Sequence, residues 1–373
     1  MIKNIVKYLE ESYLQFNEKL ISGRHVTLVN IKPLIVNLPE IFKVQELGKS
    51  FENQNIYKIK IGSGRIKILC WSQMHGNEST GTNAMFDLFN FFINPLELKD
   101  LRDFILKNCT LIFIPILNPD GATAYTRLNA QNIDLNRDVL DLKAPESVLL
   151  RSVIDSFKPN YCFNLHDQRT IFSVGKENKP ATLSFLAPSI NIERDITDGR
   201  KETMKVIASM YKSLKELIPG QIGRYTDEFY PTATGDNFQK EGFNTILIEA
   251  GHYKNDYNRD ITRKYNFIAL LIGIKQIAEN EDVDYKQYFD IPNNSKHYFD
   301  ILYEQVLIKT KVYSFGVTYK EVLQKDKIVC IPISKKIDLD SNYNANKIVS
   351  EKLNFNDNDD FSNYLLRNEQ FSL

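Results

Sequence analysis

The sequence predicts an α/β fold: a mixed, mostly parallel central sheet with helices on both faces, followed by a small C-terminal β-rich module. Three observations predict it. Strand-like and helix-like segments alternate from residue 56 to residue 279, the pattern of a mostly parallel sheet covered by helices. Several strand-like runs, IKILCW at 66–71, TLIFIPIL at 110–117 and TILIEA at 245–250, are nearly continuous in apolar residues, as strands buried on both faces must be. After Asn280 the texture changes, with acidic and polar residues leading to Ile291-Pro292-Asn293-Asn294-Ser295 and then to short β-like runs.

Taken in order, apolar positions at helical spacing (Ile5, Leu9, Tyr13, Phe16, Leu20) predict an amphipathic N-terminal helix over about residues 2–21. Residues 56–61 and 66–71 read as strands, with Gly62-Ser63-Gly64 between them as a hairpin turn signal. The second strand runs straight into Met74-His75-Gly76-Asn77-Glu78. A helix over 80–93 is followed by a strand over 110–117, ended by Asn118-Pro119-Asp120-Gly121. A helix over 145–157, strands over 161–165 and 183–187, a long helix over about 193–217, a strand over 245–250 and a helix over about 260–279 complete the alternation. The β-like runs at 298–308 and 327–332 belong to the C-terminal module, and the last stretch, with Asn356-Asp357-Asn358-Asp359-Asp360, reads as a loop or loosely held tail. The organisation expected is a main domain over 1–285, including the N-terminal helix, and a small module with its tail over 290–373.

Composition narrows the function classes. The 373 residues carry 47 Lys+Arg and 47 Asp+Glu, a formal charge of zero, so no whole-protein basic field exists to draw nucleic acid or an anionic membrane. No apolar run approaches the roughly 20 residues that span a bilayer. The N-terminus lacks the apolar core and small-residue cleavage site of a signal peptide, and a cytoplasmic location is the expectation. Four dispersed cysteines, Cys70, Cys109, Cys162 and Cys330, form no CxxC pair and read as buried thiols. Oligomeric state is not legible.

Histidine is scarce, with five in the chain, and two of the five end predicted core strands. His75 and Glu78 form an HxxE pair at the exit of one strand, where a turn puts positions i and i+3 on one side. His166, in Asn164-Leu165-His166-Asp167, ends another. Either element alone is weak. Together they make a His2Glu set, three protein ligands with a fourth position left for water, which is the composition of a catalytic zinc site.

Other charged residues fit chemistry at such a centre. Arg137, with Asn136 beside it in Asp134-Leu135-Asn136-Arg137, presents a planar fork suited to a carboxylate. Asp134 is placed to hold a metal-binding imidazole in its tautomer. Arg127, seven residues earlier, is a second cation suited to an oxyanion. Glu249 ends an otherwise apolar run, where a buried charge needs a reason, and a carboxylate over metal-bound water is the general base that amide hydrolysis requires. His252, three residues on, reads as structural or as a support behind the ligands, since the ligand set is already filled.

SQMHGNESTG, ILNPDG, YTRLNAQNIDLNRD, NLHD and ILIEAG, in this order over about residues 66–275, together resemble the M14 family of zinc metallocarboxypeptidases, most of all its bacterial members. The resemblance implies a zinc carboxypeptidase-like fold and one Zn2+ per chain held by His75, Glu78 and His166. It implies Arg127 as the group polarising the scissile carbonyl, Asn136 and Arg137 as the clamp on the substrate's terminal carboxylate, Asp134 behind His75 and Glu249 as the base. The family carries a mobile tyrosine in the loop before its catalytic glutamate. Here that loop is 225–236; Tyr230 is the nearest counterpart, although its offset from Gly235 and Asp236 departs from the usual spacing. Asp236 either favours basic substrates or caps the following helical turn, and the cap is the simpler reading.

The function expected is hydrolysis of the C-terminal amide bond of a peptide with a free carboxylate. The alternative enzyme reading is an N-acyl amino acid deacylase similar to aspartoacylase and succinylglutamate desuccinylase, which share HGNE, DLNR and a small C-terminal β domain. A non-catalytic binding protein of the same fold is the third reading, and the presence of every catalytic part counts against it.

Overall fold

The structure, a computed structural model, describes residues 4–338 and 342–373. The N-terminal helix expected over 2–21 is two short helices, α1 (Ile5–Glu11) and α2 (Tyr13–Phe16), separated at Ser12; Ile2 lies outside the described residues. The break lets Leu9, Tyr13 and Phe16 all reach the core, and the Tyr13 hydroxyl donates to Asp87 at 2.8 Å. Helix α3 (Leu28–Val36) follows.

The central sheet has eight strands. In chain order they begin with β1 (Lys43–Lys49), β2 (Asn55–Ile61), β3 (Ile66–Trp71), β4 (Cys109–Ile114) and β5 (Tyr161–Asp167). After the short strands β6 (Ser173–Val174) and β7 (Lys179–Pro180) come β8 (Leu183–Leu186), β9 (Ile222–Arg224) and β10 (Asn244–Ala250). The spatial order is β1-β2-β4-β3-β5-β10-β8-β9. Four parallel pairings, β3 with β4 and β5, β10 with β5 and β8 with β9, stand beside three antiparallel ones, the mixed and mostly parallel sheet expected.

The expected hairpin at 62–64 does not form. Strand β4 lies between β2 and β3, antiparallel to the first and parallel to the second. Gly62, at φ +80°, and Gly64 pass so close to the start of β4 that a Cβ on Gly64 would sit 1.8 Å from the Asn108 carbonyl carbon. The glycines signal a tight crossover of β4, and local sequence does not distinguish that from a hairpin.

Helices α4 (Thr80–Ile93), α5 (Lys99–Asn108), α6 (Pro119–Ala124), α7 (Pro145–Phe157), α8 (Asp198–Leu214), α9 (Thr234–Lys240) and α10 (Asp260–Glu279) surround this sheet. Alternation along β3 divides the core: Ile68 and Cys70 pack with α4, α8 and α10, whereas Leu69 and Trp71 pack with α7 and Phe238 of α9. All four cysteines are free and buried. No helix among the described residues is long and apolar enough to cross a membrane.

The C-terminal region forms a second sheet. Strand β11 (Asn294–Ser295) joins β6 and β7, and β12 (Tyr298–Ile308), β13 (Lys311–Gln324), β14 (Lys327–Ile337), β15 (Asn344–Val349), β16 (Leu353–Phe355) and β17 (Phe371–Ser372) build the six-stranded module. The polar stretch at 356–360 does not remain a loose tail. The Asp357 carboxylate accepts the Asp360 N–H at 2.9 Å and starts helix α11 (Asn358–Asn368), whose Phe361 and Leu365 are buried on the module's sheet. The acidic cluster is an N-cap followed by first-turn acids, which favour the positive end of a helix.

Candidate active site

Strands β3, β5 and β10 are adjacent and parallel, and their carboxyl ends carry the expected residues to one place, as open α/β sheets do. The turn after β3 is held in an unusual shape by its neighbours. Gln73 sits at φ +44°, and its amide donates to the Gly76 carbonyl at 2.8 Å and the Val26 carbonyl at 2.9 Å. Asn118 donates to the Met74 carbonyl at 3.2 Å. A Cβ on Gly76 would lie 1.9 Å from the Gly121 carbonyl carbon, so the HGNE and NPDG turns interlock backbone against backbone.

This places His75, Glu78 and His166 together, all buried, as the only group of three or more His, Cys, Asp or Glu among the described residues with a metal-holding arrangement. His75 Nδ1 lies 2.9 Å from Glu78 Oε1, His166 Nδ1 lies 2.8 Å from Glu78 Oε2, and the two Nδ1 atoms are 3.1 Å apart. These edges approach the roughly 3.3 Å that ligand atoms keep around a tetrahedral ion with bonds of about 2.0–2.2 Å. Two imidazole nitrogens facing each other across a carboxylate fit a divalent cation in chemistry and in geometry.

The charges around this triangle are arranged in layers. His75 Nε2 is 3.1 Å from Asp134 Oδ1, which also accepts the Asn136 N–H at 2.9 Å, while Asp134 Oδ2 accepts Arg127 Nε at 3.0 Å. Burial alone would lower the His75 pKa, but Glu78 and Asp134 hold it above the usual histidine value. Burial keeps His166 below that value. Burial opposes ionisation of Glu78, yet His75 and His166 hold its pKa well below the ordinary carboxylate range. Glu249, partly exposed, has its pKa raised well above the usual value by desolvation and by the neighbouring Glu78 and Asp167 charges. Its carboxylate accepts no hydrogen bond among the described residues.

The remaining expected residues form the rim. Arg127 leans over the triangle, with Nη1 3.2 Å from His75 Nδ1 and 3.5 Å from Glu78 Oε1, and its side chain is 46% exposed. Asn136 spends its oxygen on the Thr234 N–H at 3.1 Å. The Arg137 guanidinium lies 5.3 Å from the Tyr230 ring centroid, a cation–π approach that brings the Tyr230 loop beside the proposed clamp. Asp236 does not cap its helix: it sits inside α9, after the N-cap Ala233, and its carboxylate accepts the Tyr230 N–H at 3.1 Å. It ties down the Tyr230 loop instead. His252 faces away, toward the C-terminal module, where its Nε2 meets the Asn346 side chain at 3.0 Å.

Sequence reading missed the support beneath the triangle. The Asp167 N–H donates to Glu78 Oε2 at 3.1 Å, and its carboxylate accepts Thr80 Oγ1 at 2.8 Å and pairs with Arg259 at 3.2 Å. Arg259 also donates to the Ala250 and Gln168 carbonyls at 2.7 and 2.6 Å, joining the ends of β10 and β5. The acid after His166 was a visible signal for this. Arg259 lay too far along the chain to be connected with it.

Residues 31–169 match the zinc carboxypeptidase family, peptidase M14. Among curated proteins it is 32% identical over 108 residues to carboxypeptidase SOL1 of Arabidopsis thaliana, covering 27% of this chain and 22% of that protein. Among solved structures it is similar to a metallo-carboxypeptidase of Burkholderia cenocepacia (15% identity, 67% of each chain, TM-score 0.53). It is similar also to carboxypeptidase A of Helicoverpa armigera (16% identity, 75% of this chain and 82% of that one, TM-score 0.54). At these identities the solved structures establish the fold. The chain spans 13–27% of the length of the curated relatives it matches here. The zinc carboxypeptidase match includes His75, Glu78, Arg127, Asp134, Asn136, Arg137 and His166, and ends before Glu249.

Proposed function

We propose that this protein is a zinc carboxypeptidase that removes the C-terminal residue of a peptide substrate, with His75, Glu78 and His166 holding Zn2+. The observation that carries this reading is the buried His75–Glu78–His166 triangle with Glu249 in register beside it on the next strand. Zinc, when bound, supplies a Lewis acid that polarises a carbonyl and makes water acidic enough to attack at neutral pH. Arg137, with the free amide donors of Asn136, receives the substrate's terminal carboxylate and so fixes which amide bond is presented. Arg127, already beside the triangle, faces the oxygen on which negative charge develops. Glu249, its pKa raised, takes the proton of the attacking water and delivers it to the leaving amine.

The family match favours this reading over the deacylase alternative. The test is turnover of N-blocked dipeptides, their C-terminal amides, N-acetyl-aspartate and N-succinyl-glutamate, with and without added zinc after chelation. Zinc-restored cleavage of the free-carboxylate dipeptides is expected. Turnover of the two acyl amino acids alone would overturn the proposal.

A further inference from the structure

The loop between α2 and α3, from Asn17 to Thr27, lies against the turn that carries His75 and Glu78 and outside the residues matched to the zinc carboxypeptidase family. Its Ile21 and Val26 side chains are buried. A buried loop must find donors for its carbonyls, and here those of residues 23, 24 and 26 find them in one place. Gln73 Nε2 donates to the Val26 carbonyl at 2.9 Å, Ser79 Oγ to the Arg24 carbonyl at 2.7 Å and Asn83 Nδ2 to the Gly23 carbonyl at 3.0 Å. All three donor residues are at most 3% exposed. Two of them bracket the ligands: Gln73 lies two residues before His75, and Ser79 directly follows Glu78. Asn83 is in the first turn of α4. The Gln73 amide also donates to the Gly76 carbonyl at 2.8 Å, so one side chain joins the loop to the residue after His75.

The loop is itself fastened at two points. Arg263 of α10 donates to the Ile21 and Glu18 carbonyls, each at 2.8 Å, and pairs with Asp87 of α4, whose Oδ1 accepts the Glu18 N–H at 2.7 Å. Both members of that ion pair are buried. Further along, the Arg24 side chain pairs with Glu321 of β13. A loop pinned at Glu18, Ile21 and Arg24 cannot shift without breaking buried polar contacts, and each such loss is costly. Its carbonyls are therefore fixed points for the side chains that reach them. Gln73, at φ +44°, holds a conformation that a non-glycine residue keeps only where its surroundings over-determine it.

We propose that residues 23–26 are a positioning strap of the zinc site, on the reading of the His75–Glu78–His166 triangle as that site: their carbonyls hold Gln73, Ser79 and Asn83, and so set the spacing of His75 and Glu78 before the metal arrives. Two ligands on one turn bind a metal tightly only when the turn is already ordered, because otherwise binding must supply the cost of ordering it.

The test is zinc affinity of the full chain, measured by competition with a chromophoric chelator, for wild type, Ser79→Ala, Asn83→Leu, the double variant Ser79→Ala/Asn83→Leu and Ser79→Thr, each with its denaturant unfolding midpoint in the metal-free state. Ser79→Ala and Asn83→Leu remove donors to the strap and leave every ligand in place. The double variant is expected to bind zinc about tenfold more weakly, the low end of the loss seen when a group supporting a metal ligand is removed. Each single variant should show a smaller loss, and Ser79→Thr, which keeps the hydroxyl, should bind as wild type does. A role confined to folding would lower the unfolding midpoint and leave the zinc affinity of the folded chain unchanged, and that result overturns the proposal. So does a Ser79→Thr chain as weak as Ser79→Ala. If the double variant does not fold, the single variants decide, and wild-type affinity in both overturns the strap while leaving the zinc site intact. A wild-type chain that binds no zinc overturns the zinc site and this proposal together.

Discussion

Glu249 and His166 are direct register partners on the neighbouring parallel strands β10 and β5. A residue pair locked at the same level of a buried sheet has little freedom to move apart, so the carboxylate is held at fixed height beside the His75–Glu78–His166 triangle. Replacing Glu249 by Gln removes the base without touching a ligand. We expect kcat to fall by about 10²–10⁴-fold, the usual contribution of general acid–base catalysis, with zinc content unchanged. Steady-state kinetics together with metal analysis checks this, and a variant at full rate with zinc bound would remove Glu249 from the mechanism.

Asp134 touches both His75 and Arg127, at 3.1 and 3.0 Å. Asp134→Ala frees the imidazole to rotate and releases Arg127 from its anchor. Zinc affinity should fall by about 10–100-fold, as for other carboxylates behind a metal-bound histidine. Chelator competition measures it. Unchanged affinity would mean that packing alone orients His75.

Among the described residues Arg137 makes one side-chain hydrogen bond, from Nη1 to the Asn136 carbonyl at 2.7 Å, and is otherwise exposed at the rim of the site. Arg137→Ala should cost about 1.5–3 kcal/mol of substrate binding, the worth of hydrogen bonds to a charged group, seen mainly as a raised KM. Discrimination between a free-carboxylate dipeptide and its C-terminal amide should shrink in the variant. If the variant still prefers the free carboxylate as strongly as wild type, the clamp lies elsewhere.

How much of this was legible follows from which interactions are local. The helix over 260–279 and the strand over 66–71 have the boundaries their apolar pattern implies, because periodicity and burial act on the same residues. The grouping of His75, Glu78 and His166 was legible because both histidines lie at the ends of core strands, and parallel strands bring such ends together. Strand order was not: Gly62 and Gly64 look the same whether β3 pairs with β2 or β4 comes between them. The α11 cap at Asp357 was in the sequence but was outweighed by polarity, since its apolar anchors are few. Arg24, Arg259 and Glu321 were invisible for a different reason. Their partners lie about 90 to 300 residues away, and only the folded chain joins them.

Asp236 gives a pH signature. Burial pushes its pKa from 3.8 up to about 6, against the pull of the Tyr230 N–H and Arg137. The folded chain therefore holds this proton more tightly than the unfolded one. Its stabilising effect is complete below about pH 3.8 and is lost as pH rises through about 6, where the buried carboxylate must ionise. A gap of roughly two pKa units is worth at most about 3 kcal/mol. Asp236→Asn keeps an oxygen for the Tyr230 N–H and removes the charge. Denaturant unfolding of both proteins should show the variant more stable than wild type at pH 7.5 by about 1–3 kcal/mol, with the difference shrinking toward zero near pH 4. A variant less stable than wild type at pH 7.5 would instead show that the ionised carboxylate, through Arg137, holds the Tyr230 loop in place.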